Sequence, residues 1–352
     1  ETPAFTSSGT PSINENVRNV LTLAASDTDA GDSATFAITG GADSELFEID
    51  GGTTLRFAAA AGANYESPGD AGTNNEYVVV VTATDTGANA VAQTITITIQ
   101  DVNEFSPEFG DGDTATATPN ENQQAVGTYA ATDADGSATQ TYSILTAAQN
   151  AASVDHDLFS VAGGGVLTFQ ASPNYEDAGC GAGDNSNTCA VVIQVTDGAN
   201  TDTITVTVNV QDVNEAAPVF TAGETGTSTP NEGTTAAGTF AATDTDGTAT
   251  QTYSILTAAQ NAASVDHDLF SVGAGGVLAF SSAPDFETPG CGAGDDSNTC
   301  AVVIQVTDGA NTDTITVTVT VQDLNDETPA FTSSGTPSIN ENVRDVLTLA
   351  AS

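Results

Sequence analysis

Residues 140–161 read QTYSILTAAQNAASVDHDLFSV, and the same string returns unchanged at 251–272. Internal repetition constrains a fold more than local preference does, because every copy must bury the same apolar positions in the same way. A more divergent copy precedes these two. The chain therefore divides into units over 1–106, 107–217 and 218–327, each about 110 residues long and large enough for a core of its own. Residues 327–352 then repeat 1–26 with one change, Asn19 becoming Asp345. The expected organisation is three complete units, with 328–352 forming the first two strands of a fourth. The offset of 326 positions (327 against 1) leads us to expect a window on a longer tandem array. Donation of 327–352 to a neighbouring chain is disfavoured, since unit 1 already owns the equivalent strands.

Within a unit the apolar period is two. Ile95, Ile97 and Ile99 share one face of an extended segment, and Thr94, Thr96 and Thr98 the other. Strands are also expected near 12–14, 20–24, 34–38, 46–49, 55–57 and 77–82. Seven short antiparallel strands with a turn every 8–12 residues define the fold class: all-β, as tandem seven-stranded Greek-key β-sandwiches of immunoglobulin-like type joined end to end. Only the Ala-rich run 145–154 carries a helical-turn expectation.

Charge narrows the function. The 352 residues hold 47 acidic side chains against three basic ones, Arg18, Arg56 and Arg344, for a formal charge of -44. Such a surface repels nucleic acid and anionic lipid. No apolar window is long enough to insert into a membrane. The four cysteines fall as Cys180-x8-Cys189 and Cys291-x8-Cys300 around Gly/Asp/Asn-rich turns. Zinc sites of the CxxC kind need closer pairs. Two local disulfides are expected instead, each stapling a hairpin by about 2.7 kcal/mol of loop entropy and placing the chain outside a reducing cytosol.

The acidic residues are not scattered. Each unit opens with Asn-Glu (Glu15, Glu121, Glu232; Glu341 in the partial copy) and continues with Asp-x-Asp (Asp27/Asp29, Asp133/Asp135, Asp244/Asp246). A polar-aromatic-Glu triplet follows, ending in Glu66, Glu176 and Glu287, the last preceded by Asp285. An Asp ends the penultimate strand: Asp85, Asp197 and Asp308. The boundaries add Asp101/Asn103/Glu104, Asp212/Asn214/Glu215 and Asp323/Asn325/Asp326, each just before a Pro and an aromatic residue or Phe. Strand topology sends these groups to the two ends of a sandwich, so Glu121, Glu176, Asp212, Glu215, Asp244, Asp246 and Asp308 should gather where units 2 and 3 meet. Like charges roughly 4 Å apart repel by about 1 kcal/mol even in bulk water. No Lys neutralises them. An all-oxygen set of carboxylates and carbonyls suits Ca²⁺ better than Zn²⁺ or Mg²⁺.

The ordered motifs Pro-x-Phe, Asn-Glu, Asp-x-Asp, Leu-Phe-x-Ile/Val, aromatic-Glu, Thr-Asp and Asp-x-Asn-Asp/Glu resemble those of cadherin repeats over essentially the whole chain. The resemblance implies three Ca²⁺ per junction. One cluster would use Glu15, Glu66, Asn103, Glu104, Asp133, Asp135 and Asp197. A second would use Glu121, Glu176, Asn214, Glu215, Asp244, Asp246 and Asp308. At the third boundary Glu232, Asp285, Glu287, Asn325 and Asp326 would await partners equivalent to Asp27, Asp29 and Asp85. Without Trp, the strand-swapped adhesion of vertebrate family members does not carry over. The near-identity of units 2 and 3 is more like a bacterial or archaeal surface protein.

No nucleophile-base pair, phosphate loop or unique polar cluster is present, so an enzyme is not expected. His156 and His267, in matched Val-Asp-His-Asp-Leu-Phe segments, read as solvated loop residues. The expected function is a calcium-rigidified extracellular structural rod within a long repetitive adhesin, sheath or filament. Its partners would be calcium ions and neighbouring repeats or copies of the same protein at the cell surface. The alternative is a ligand-binding adhesin module recognising a carbohydrate or protein receptor. Such a module calls for an irregular insertion or exposed aromatic cluster in one unit only.

Overall fold

Alternation becomes burial along the two longest strands of the first sandwich. The computed structural model describes residues 1–28, 33–136, 139–180, 186–246, 250–292, 297–333, 335–336, 338, 344 and 347–350. Its first nine strands are β1 (Ala4–Phe5), β2 (Ser12–Asn14), β3 (Asn19–Thr22), β4 (Ala25–Ser26), β5 (Thr35–Gly40), β6 (Phe47–Asp50), β7 (Thr54–Phe57), β8 (Glu76–Thr84) and β9 (Ala90–Gln100). Tyr77, Val79, Val81 and Ala83 of β8 point inward with Ile95, Ile97 and Ile99 of β9, while the intervening residues face out. One sheet runs β2-β9-β8-β5 and the facing one β3-β7-β6, with β1 and β4 as a separate pair. Between the sheets Phe47 and Phe57 lie 4.6 Å apart, and Tyr77 meets Phe57 edge-on at 5.2 Å.

One expectation is corrected. The strands are not all antiparallel: β2 pairs with β9 in parallel, Ser12 opposite Thr98 and Asn14 opposite Gln100. Parallel pairing brings the C-terminal ends of both strands to the same end of the sandwich, so Glu15 emerges beside Asp101. The Glu15 amide donates to the Gln100 carbonyl at 3.0 Å.

The same layout recurs twice. One copy has a sheet of Thr114–Ala117, Thr201–Asn209, Thr188–Thr196 and Thr141–Ile144, and the other a sheet of Thr225–Ser228, Thr312–Thr320, Thr299–Thr307 and Thr252–Ile255. Each encloses its own core, around Leu167, Ile193 and Ile204 and around Leu278, Ile304 and Ile315. Gly165 at φ +76° shows how closely the backbone packs, since a Cβ there would meet the Tyr129 carbonyl oxygen at 1.8 Å. By contacts the chain forms two compact units, Glu1–Gln211 and Asp212–Ser352. In the closing segment Thr332 donates to Ala350, as Thr6 does to Ala24.

Within 145–154 the expected helical turn is a single one, the Gln149 and Asn150 amides both donating to the Thr146 carbonyl at 2.9 Å. Leu145 and Ser153 are buried against the sheet, Leu145 donating to the Val192 carbonyl and Val192 to the Ser153 hydroxyl, and the exposed residues between them form turns. The nearest helical element is a 3-10 turn at His156–Leu158. Both disulfides form, Cys180–Cys189 and Cys291–Cys300, with Cα atoms 4.7 and 4.8 Å apart. Among the described residues, no helix is long and apolar enough to cross a membrane.

Candidate metal centre

The chemistry gathers where β2 and β9 end. Glu15, 2% exposed, accepts from the Val102 amide at 3.0 Å and the Tyr65 amide at 2.8 Å, so it grips the boundary stretch and the aromatic-Glu triplet together. Asn75 holds that triplet from the other side through the Tyr65 carbonyl at 2.9 Å. Glu66, next along, comes among other acids. Carboxylate oxygens of Glu15, Glu66 and Glu104 lie within 4.8 Å of one another, as do those of Glu66, Asp101 and Asp135.

This arrangement is unfavourable without a cation. Both oxygens of Glu66 are shut away from solvent, with its own backbone amide and the neighbouring carboxylates around them. Desolvation, with the charges of Glu15 and Asp101, pushes the Glu66 carboxyl above its ordinary range. Asp135 is 1% exposed; one oxygen accepts the Glu104 and Phe105 amides at 2.8 and 2.7 Å, while the other has no donor. Buried carboxylate oxygens without donors, in an all-oxygen set lacking His or Cys, fit a hard divalent cation such as Ca²⁺.

Other predicted residues join through backbone contacts. Asp133 accepts from the Asp135 amide at 3.0 Å, and Asn103 donates to the Asp197 carbonyl at 3.3 Å. Hydrogen bonds from the Asn200 and Ala199 amides hold the Asp197 carboxyl below its usual range. In the other unit, Ala216 donates to Asp246 at 2.7 Å and the Asp246 amide to Asp244 at 3.1 Å. Asn214 reaches the Asp308 carbonyl at 3.4 Å. The Asn311 amide lowers the Asp308 carboxyl.

Glu232, Glu287 and Asp326 form a third group with oxygens within 4.8 Å. Glu232 accepts from Leu324 at 2.7 Å and Phe286 at 2.6 Å, the equivalents of the Glu15 bonds. Desolvation and the charges of Glu232, Asp323 and Asp326 raise the Glu287 carboxyl. Asp285 accepts the Glu287 and Thr288 amides at 3.0 Å, and Asn325 is exposed.

Glu121, 3% exposed, takes the Tyr175 amide at 2.7 Å, and Glu176 lies exposed in the same unit. Asp212 and Glu215 belong to the other unit, half-buried and exposed respectively. Asp85 is lowered chiefly by the Asn89 side chain, Asp27 is half-buried, and Asp29 and Glu341 lie outside the described residues. Sequence reasoning passed over Asn75, Asn187 and Asn298, whose amides grip the Tyr65, Tyr175 and Phe286 carbonyls. It also passed over Asn89, Asn200 and Asn311. The repeated Asp-Gly-Ala-Asn at 197–200 and 308–311 was the available signal.

Three tandem β-sandwiches, with carboxylates collected where the first one ends, are an architecture that solved cadherin repeats share. No family model matches the chain and no curated protein matches it. Solved structures do. Human CDH23 EC21-23 superposes with a TM-score of 0.58 at 16% identity, over 91% of this chain and 100% of that one. The protocadherin gammaB7 EC3-6 cis-dimer gives 0.56 at 19%, over 97% and 78%. Mouse cadherin-23 EC22-24 gives 0.52 at 18%, over 92% and 99%. At these identities the likeness is one of fold.

Proposed function

We propose that the chain is a calcium-rigidified structural rod on the outside of a cell, a stretch of a long repetitive adhesin, sheath or filament rather than an enzyme. Its units run over 1–106, 107–217 and 218–327, with 328–352 opening a fourth. The observation that carries this reading is Glu66, whose enclosed carboxylate lies among other carboxylates. Calcium, when bound, supplies the positive charge that this set lacks. Glu15, Glu66, Asp101, Asn103, Glu104, Asp133, Asp135 and Asp197 would hold it at the first boundary. Glu121, Glu176, Asp212, Asn214, Glu215, Asp244, Asp246 and Asp308 would serve the second, and Glu232, Asp285, Glu287, Asn325 and Asp326 the third. At the first boundary the ligands come from both sides, so ion binding would fix the angle between those neighbouring sandwiches. The two disulfides accord with an oxidising, extracellular setting. Small-angle scattering during a calcium titration tests the reading. The maximum dimension should rise to a plateau with calcium and fall in chelator. A curve insensitive to calcium, with no bound ion by equilibrium dialysis, would overturn it.

A further inference from the structure

Each boundary stretch is fastened to the sandwich after it by bonds that need no metal. Asn200 closes the Asp197–Asn200 turn, which Gly198 makes possible at φ +99°. Its side-chain amide donates to the Phe105 carbonyl at 2.7 Å. In return Asn103, on the boundary stretch, donates to the Asp197 carbonyl of that turn at 3.3 Å. The amides of Glu104 and Phe105 end on Asp135. The arrangement recurs in the other unit: Asn311 donates to the Ala216 carbonyl at 2.9 Å, Asn214 to Asp308, and Ala216 to Asp246. A third instance joins Asn89 to the Glu1 carbonyl at 3.1 Å.

We infer that Asn200, Asn311 and Asn89 are positioning residues of a metal-independent clasp, which keeps each boundary stretch with the following sandwich when calcium leaves. Chemistry distinguishes the two sides of the first boundary. On the following side, amide donors meet carbonyls and one oxygen of Asp135, bonds that need no ion, although the second Asp135 oxygen has no donor. On the preceding side Glu15 is bonded to backbone amides, but Glu66 sits among like charges. Loss of the cation therefore leaves the amide-to-carbonyl bonds of the clasp in place. The clasp also holds Glu104 near its place in advance, so less ordering remains for the ion to impose.

The consequence for calcium rests on the reading given above, while the clasp itself does not, and hydrogen exchange separates them. In chelator, the Glu104 and Phe105 amides of the full chain should exchange at least about tenfold more slowly than in Asn200→Ala, as expected when local opening controls protection. Asn200→Asp, which keeps the shape but removes the donor, should behave like Asn200→Ala, whereas Asn200→Gln should restore part of the protection. With calcium titrated in, Asn200→Ala should bind about fivefold more weakly, its sandwiches melting as in the parent. Equal exchange in parent and Asn200→Ala would overturn the clasp. Slower exchange in a parent that binds no calcium would keep the clasp and sink the calcium reading.

Discussion

Glu66 shows what a single residue contributes here. A carboxylate enclosed among carboxylates opposes the fold until a cation arrives, so Glu66→Gln should act in opposite directions with and without calcium. In chelator its melting temperature should rise by about 2 °C, because one repelling charge is gone. In calcium the affinity should fall about tenfold, read by competition with a chromophoric chelator. Acidity provides a second residue-level test. Glu66 and Glu287 are raised above the ordinary 4.5 by desolvation and neighbouring acids, so their contribution stabilises the fold below about that pH and is lost as pH rises through the raised values. Asp85, Asp197 and Asp308 are lowered below 3.8 by asparagine hydrogen bonds, so theirs is present above 3.8 and is lost as pH falls through the lowered values. The contribution of these five groups should therefore be greatest between pH 3.8 and 4.5, so in chelator Glu66→Gln should gain melting temperature over the parent only as pH rises above 4.5; a gain independent of pH would contradict this.

At the scale of elements, the three sandwiches solve one problem in two ways. The loop before the eighth strand of each must be tied to that strand. The second and third use Cys180–Cys189 and Cys291–Cys300. The first has Asp70 and Tyr77 at the equivalent places. There the Gly69 amide donates to the Tyr77 hydroxyl at 2.9 Å, and Asp70 accepts the Asn74 and Asn75 amides at 3.1 Å. Reduction of the disulfides should cost the second and third sandwiches about 2.7 kcal/mol each in denaturant titration and leave the first unchanged. The spacing of the cysteines made the disulfides readable in advance. Their substitute was not readable, since nothing about Asp70 or Tyr77 as letters says that they face the same gap.

At the scale of the molecule, the boundary stretch 100–109 couples what the sandwiches do separately. Asp135→Ala removes the acceptor of the Glu104 and Phe105 amides and one buried carboxylate of the cluster. In calcium, a protease should then cut that stretch at least about tenfold faster, while both flanking sandwiches keep their cooperative melts. Cutting within either sandwich instead would show that Asp135 serves the fold rather than the boundary.

The sequence by itself determined the repeat, the two-residue period, the disulfide partners and the identity of the acidic positions. Each of these is local or recurs at a fixed offset, and a repeat exposes it by comparison with itself. Tertiary structure alone decided the parallel pairing of β2 with β9, because which edge a short strand joins depends on residues almost ninety positions away. That pairing places Glu15 beside the end of β9. It also decided the company of Glu66, and which asparagines among many point at a carbonyl. Hydrogen bonds and charge repulsion act over a few ångströms, and no spacing along the chain states which groups will come that close.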